Sequence, residues 1–291
     1  MSDAKPLVAV VTGASRGAGR GIAVALGQHG ATVYVTGRTT TQGSAALPGT
    51  IHETAAAITA AGGHGIALAV DHADDAQVAA AFAQIAAEQD GIDILVNNVA
   101  IIHDELTDPR EFWARPLHLG DILNVGLRSQ YVASWHAAPL LLRRGRGLVA
   151  FTSSFGAVCF MHGPAYGAQK AGVDKLAADM AVDFRPHGIA AVSLWMGPLL
   201  TERAKATYAR KAADGTLGDY ATFAAQAETP EFSGHLLHRL YEDPDIMTLS
   251  GQTLIGAELA ERYNMLDEGK RPPSYRAMLG EPRIPHPAVI R

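Results

Sequence analysis

Short apolar runs alternate with longer, alanine-rich stretches along most of the chain. The runs are LVAVVT (7–12), ATVYVT (31–36), GIALAV (65–70), IDILVN (92–97), GLVAFT (147–152), IAAVSL (189–194) and GQTLIG (251–256). Each is nearly continuous in apolar character, the pattern of a strand covered on both faces. The stretches between them predict helices over about 17–29, 51–61, 74–89, 119–143, 164–186 and 230–241. Such alternation predicts a parallel sheet with helices on both sides, in three layers.

Two regions interrupt the pattern. Residues 198–250 carry helix formers, glycines and charges with little strand signal. They follow the carboxyl end of the sixth predicted strand, the sheet edge where open parallel sheets bind ligands, so this segment is a candidate lid. The tail from Arg271 to Arg291 contains Pro272, Pro273, Pro282, Pro285 and Pro287, which exclude regular helix and central strand. It is expected to be either disordered or draped, extended, over a neighbouring surface, the second being the reading preferred. The expected organisation is one domain over residues 1–260 and a proline-rich tail over 261–291.

A chain of 291 residues, 48% hydrophobic, is long enough to bury one full core. The net charge of -5, with no basic run beyond Arg143, Arg144 and Arg146, argues against a nucleic-acid partner. Those three arginines stand where a helix is predicted to end, and cap its dipole. The single cysteine, Cys159, can form no internal disulfide and fits a reducing, cytoplasmic compartment. No run approaches the roughly 20 apolar residues of a membrane span, and Leu7–Val11 is too short for a signal peptide. No histidine cluster has metal-ligand spacing, so no metal is expected.

The chemistry begins directly after the first run, in TGASRGAGRGIA (12–23), with Gly13, Gly17 and Gly19. A strand, a glycine turn and a helix start together make a phosphate cradle, because the backbone approaches closely and the helix N-terminus offers free N–H groups. The G-x-x-x-G-x-G spacing differs from the commoner G-x-G-x-x-G. The second strand leads into Gly37 and Arg38, without the acid that binds a ribose 2′-hydroxyl. Arg38, with Arg16 in the turn, points to a 2′-phosphate and hence to NADP(H); the alternative is two solvated arginines. Further on, PAYGAQK places Tyr166 and Lys170 one helical turn apart. An ammonium beside a phenol favours the phenolate. By itself this pair reads better as an ordinary tyrosine above a surface lysine, because Y-x-x-x-K is short and common.

Several further motifs occur in order: Asp71 after the third strand, NNVA (97–100) after the fourth, Asn124, and a serine after the fifth. With the glycine turn and Y-x-x-x-K, the chain over about residues 5–256 resembles the classical short-chain dehydrogenase/reductase family. FWARP, NVGLRSQY, DKLAADM and SLWMGPLLTE resemble more narrowly the branch called dehydrogenase/reductase SDR family member 1.

The resemblance implies a single Rossmann domain transferring a hydride between NADP(H) and a carbonyl or alcohol carbon, with a hydrophobic ketone or aldehyde as substrate. It implies Tyr166 as general acid/base. It implies that Lys170 lowers the tyrosine pKa from about 10 to about 7, worth roughly 4 kcal/mol, and binds the nicotinamide ribose. Ser153, three residues before Gly156 and thirteen before Tyr166, meets the family spacing for the serine that polarises the carbonyl; Ser154 is the other candidate, if the loop bends. Asn124 is expected on the 119–143 helix, holding a proton-relay water. Ser15 joins the cofactor contacts, Asp71 accepts from the adenine amine, Asn97 positions backbone beside the cofactor, and Thr201 binds the carboxamide. Val99, Ala100 and Met196 depart from the family pattern beside the cofactor. Phe155, Cys159, Phe160, Met161 and His162 are candidates for an apolar pocket wall. A homodimer or homotetramer is implied. The rival readings are a non-catalytic dinucleotide sensor on the same fold and an extended-branch epimerase or dehydratase.

Overall fold

The computed structural model describes residues 6–218 and 220–291; residues 1–5 of the predicted domain and Asp219 of the predicted lid lie outside the described residues. All seven apolar runs are strands: β1 (Val8–Val11), β2 (Thr32–Gly37), β3 (His64–Ala69), β4 (Ile94–Asn97), β5 (Gly147–Ser153), β6 (Ile189–Trp195) and β7 (Thr253–Ile255). They form one parallel sheet in the order β3-β2-β1-β4-β5-β6-β7. Val10 pairs with Tyr34 on one side and Leu95 on the other. The chain leaves β3 and crosses to β4 beyond β1, so a crevice opens at the carboxyl ends of β1 and β4. Every residue of β1, β4, β5 and β6 is buried. One face packs on Ile22, Leu26, Ile58 and Leu236, the other on Phe82, Leu140 and Val173. This two-sided burial is why the runs carry no polar alternation.

The helices are α1 (Gly17–Gln28), α2 (Ile51–Ala60), α3 (Asp75–Glu88), α4 (Asp121–Leu123), α5 (Ser129–Arg144), α6 (Pro164–Phe184), α7 (Glu202–Ala213), α8 (Tyr220–Ala225), α9 (Phe232–Glu242), α10 (Gly256–Arg262) and α11 (Arg276–Leu279). Local chemistry fixes their starts. The Thr50 side chain accepts from Glu53 N–H at α2, and Asp74 accepts from Ala76 and Gln77 N–H at α3. The long helix α6 opens with Pro164, whose missing N–H costs nothing there.

The predicted 119–143 helix is broken. Between α4 and α5 the backbone leaves helical geometry at Val125 (φ -104, ψ 85) and Gly126 (φ 153, ψ -30). The freed groups find partners elsewhere: Gly126 N–H donates to Ser129 Oγ, Gly126 C=O accepts from Gln169 Nε2 at 2.6 Å, and Val125 C=O accepts from Ile101 N–H. Only a residue without Cβ is at ease at that φ.

The candidate lid folds as α7 and α8, ahead of α9. No residue of α7 is buried. The tail drapes over the chain's own body. Tyr275 is buried among Phe155, Trp195, Ile255 and Ala257, and its hydroxyl donates to Gln226. Within the tail α11 makes one helical turn, which the proline count did not predict; it falls in the proline-free stretch 274–281. Among the described residues no helix is long and apolar enough to cross a membrane.

Candidate active site

The crevice is a cleft of about 500 Å³. Its floor is the glycine turn between β1 and α1. Thr12 Oγ1 donates to Val96 C=O and accepts from Asn98 and Val99 N–H, locking the ends of β1 and β4 together. Asn98 Nδ2 donates to the carbonyls of Thr12 and Gly13 at 2.9 and 3.1 Å. A Cβ on Gly13 would lie 2.7 Å from Val99 Cα, and one on Gly19 would lie 2.4 Å from Gly13 C=O. The departure at Val99 thus packs against the turn. The Gly17 N–H, at the start of α1, donates to Glu202 Oε2 at 2.9 Å. A carboxylate already accepts from the cradle, so the turn suits an anion such as a diphosphate.

Most of the predicted cofactor residues line this cleft: Gly13, Ser15, Arg16, Gly17, Gly19, Arg38, Asp71 and Thr201. Arg16 donates to Thr39 Oγ1 and to Gly49 C=O. Arg38 is 61% exposed and 3.8 Å from Asp71, an open pair with little holding it shut. Thr201 accepts from Ala204 N–H as the cap of α7. Two wall residues escaped the motif reading. His72 is buried, with Nε2 bonded to Thr36 Oγ1, Nδ1 without a partner, and its pKa held down to about 4 by burial. Asn98 is the other.

Asn97 does not line the cleft. It is fully buried and faces the helix layer, where its amide donates to Ser134 Oγ. As the last residue of β4 it points away from the cleft, and its neighbour Asn98 takes the positioning contacts.

The cleft wall continues through Ile101, Ile102 and Val125. Next to Val125, Gly126 is bonded to Gln169, the residue before Lys170, so the cleft ends beside α6. There the Tyr166 hydroxyl lies 3.0 Å from Ser154 Oγ. Of the two candidate serines, Ser154 is the one in contact with the phenol. Ser153 is fully buried as the last residue of β5, and its hydroxyl donates to the Lys170 carbonyl. Ser153 keeps the family spacing but is the last residue of β5, so the first residue past the strand, Ser154, faces the phenol. A Cβ on Gly156 would fall 2.6 Å from Tyr166 Cε1, so a glycine there lets the ring pack down. His162, at φ 58, stands edge-on to the same ring at 5.0 Å. Of the other candidate wall residues, Phe155 is buried against Trp195 and Phe160 is 83% exposed.

Lys170 lies beneath the tyrosine, its ammonium 5.4 Å from the ring centroid and donating to Thr152 C=O at 3.2 Å. Burial pulls its pKa down to about 8, opposed by Asp174. Tyr166 is pushed upward by burial, against the bond from Ser154. Asp174, one turn beyond Lys170, was missed altogether. Its Oδ1 accepts from Ser193 Oγ at 2.5 Å and its Oδ2 from Trp195 Nε1 at 2.9 Å. Burial raises its pKa, and the bonds from Ser193, Ser153 and Trp195 oppose that rise, followed by the Lys170 charge.

Asn124 sits at the helix break with an exposed side chain, while its carbonyl accepts from Ser129 N–H. Val125, not Asn124, lines the cleft.

A doubly wound sheet with a glycine turn at its switch point is the architecture of a dinucleotide-binding protein, and Ser154, Tyr166 and Lys170 come together beyond β5 and on α6 of that sheet. The chain belongs to the short-chain dehydrogenase family, whose pattern it matches over residues 7–212. It is 40% identical over 271 residues to human dehydrogenase/reductase SDR family member 1, covering 91% of this chain and 84% of that protein. The mouse protein of the same name is 39% identical over 277 residues, covering 92% and 85%. Among solved structures, a putative dehydrogenase from Xanthomonas campestris superposes with a TM-score of 0.73 at 28% identity, covering 89% of each chain. As a family member the protein is an oxidoreductase using a nicotinamide dinucleotide and a small-molecule substrate.

Proposed function

We propose that the protein is an NADP(H)-dependent oxidoreductase interconverting a carbonyl and its alcohol on an apolar ketone or aldehyde. The observation that carries this reading is the 3.0 Å contact between Ser154 Oγ and Tyr166 OH, with the Lys170 ammonium behind the ring. When bound, the nicotinamide supplies or accepts the hydride. Two hydroxyls converging on one point suit a carbonyl oxygen that becomes an alkoxide. Ser154 donates a hydrogen bond to that oxygen, and Tyr166 donates its proton. Lys170, with a pKa of about 8, is charged at neutral pH and stabilises the phenolate left behind.

The 2′-phosphate preference is supported by Arg38, open at the cleft edge, and by Arg16 across the same edge. An apolar substrate is supported by Ile101, Ile102 and Val125 on the wall. The segment 198–250 acts as the lid, with Thr201 and Glu202 at its hinge against the glycine turn. Residues 1–260 form the catalytic domain, covered by the tail. The α5 surface, which exposes Tyr131 and Trp135, forms the contact of a homodimer or homotetramer. A cytoplasmic location fits the single cysteine.

The test is calorimetric titration with NADPH and with NADH, followed by an aldehyde and ketone screen on wild type and Tyr166→Phe. Tighter NADPH binding and turnover lost in Tyr166→Phe are expected. NADH preference overturns the cofactor assignment, and turnover surviving Tyr166→Phe overturns the mechanism.

A further inference from the structure

We propose that His103, Glu105 and His118, completed by Asp121, bind a divalent cation of the zinc class at the edge of the cleft. The sequence offers no metal-ligand spacing here, because the donors come from two separate one-turn helices, Asp104–Thr107 and Leu117–Gly120, and their flanks. The fold sets these turns side by side. One donor atom from each of His103, Glu105 and His118 lies within 4.8 Å of the others. His103 Nε2 is 3.4 Å from Asp121 Oδ2, and His118 Nε2 is 3.6 Å from Glu105 Oε2. The two imidazoles face each other at 4.4 Å between centroids. His103 Nε2 is sealed from solvent and has no hydrogen-bond partner, which is costly unless something accepts its lone pair.

Two imidazoles and two carboxylates match the donor set of zinc, and the carboxylates neutralise its charge. A tetrahedral ion about 2.0–2.1 Å from each donor needs donors about 3.4 Å apart. Two pairs already have that separation. The donors of His103, Glu105 and His118 all lie within 4.8 Å of one another, so these three close on an ion by side-chain rotation, with Asp121 joining from beside His103. A second histidine group, His29, His235 and His238, contrasts with it. There His29 Nε2 is bonded to His235 Nδ1 at 3.0 Å and stacks on His238 at 3.7 Å, so its nitrogens already serve one another.

The location gives the ion a purpose. His103 lines the cleft. Beside it, Arg203 of α7 pairs with Asp104 and donates to Ile102 C=O. A cation here would staple the entrance segment in the place where the lid docks. The site is independent of the Ser154-Tyr166-Lys170 chemistry.

The experiment is zinc titration of chelator-stripped protein by calorimetry, with cobalt absorption as a second readout of nitrogen–oxygen coordination. One site per chain is expected. His103→Ala and His118→Ala should abolish it, and Asp121→Asn, which removes a charged donor, should weaken it at least about tenfold. His235→Ala should leave it unchanged, with folding checked by circular dichroism. No zinc binding by folded wild type, or binding that survives His118→Ala and disappears in His235→Ala, overturns the proposal.

Discussion

Replacing Asp174 with asparagine removes one buried negative charge without changing side-chain size. The amide can still accept from Trp195 Nε1, and the Ser193 hydroxyl can turn to accept from its NH₂. What changes is the field at Lys170. Residues one helical turn apart are about 6 Å from each other. At an effective dielectric constant of about 20 their charges interact by about 3 kcal/mol, or about 2 pKa units. The charged form of a lysine exists below its pKa, so losing a neighbouring anion moves that boundary down. Lys170 should fall from about 8 to about 6. At pH 7 the ammonium population then drops from about nine-tenths to about one-tenth, and carbonyl reduction slows about tenfold. The chain has only six lysines, so side-chain NMR can follow Lys170 directly, beside a pH profile of kcat/KM. Asp174→Glu, which keeps the charge, should retain most of the wild-type profile. If folded Asp174→Asn keeps its Lys170 titration and its alkaline decline near pH 8, Asp174 is only a structural hydrogen-bond acceptor.

Three further outcomes follow from other contacts. Ser154→Ala should cost about 10²–10³ in kcat, whereas Ser153→Ala should cost about 1 kcal/mol of stability with kcat nearly intact; equal kinetic losses would undo the exchange of roles. Glu228 is buried, with its pKa raised to about 7 by desolvation, and accepts from Gly197 N–H. The folded state therefore holds a proton that the unfolded chain releases at lower pH. The protein should lose about 3 kcal/mol of stability as pH rises from 4.5 through 7, and Glu228→Gln should remove that loss, as read by denaturant midpoints across pH. Trp135→Glu on the exposed face of α5 should yield monomers in sedimentation experiments while leaving the Tm of the monomer within a few degrees.

The strands were legible because burial on both faces leaves an unbroken apolar run, and the glycine turn because its position after β1 is a local matter. The site's finer points depend on partners distant in sequence. The break at Val125 and Gly126 is held by Gln169 and Ile101, more than twenty residues away in either direction, so helical periodicity ran straight through it. Which of Ser153 and Ser154 meets the phenol depends on where β5 ends: Ser153 is its last, buried residue and Ser154 the first beyond it. Asn97 and Asn98 differ only in which side of β4 they leave from. Asp174 carried no signal at all: a carboxylate on a helix reads as solvated until Ser193 and Trp195 are seen to enclose it. The His103–His118 grouping likewise exists only once two turns are placed together.

The layer formed by Phe155, Trp195 and Tyr275 has a consequence for the order in which the protein matures. During synthesis the glycine turn and its flanking strands have all emerged by residue 97. The loop carrying Ser154 stays without its full floor until β7 and then Tyr275 arrive, the latter more than a hundred residues later. Domains fold largely as their segments become available, so nucleotide-binding surface precedes competence for chemistry. A nascent or truncated chain ending before Tyr275 would present the dinucleotide cradle with an unsupported catalytic loop, and an apolar layer open to the quality-control machinery of the cell.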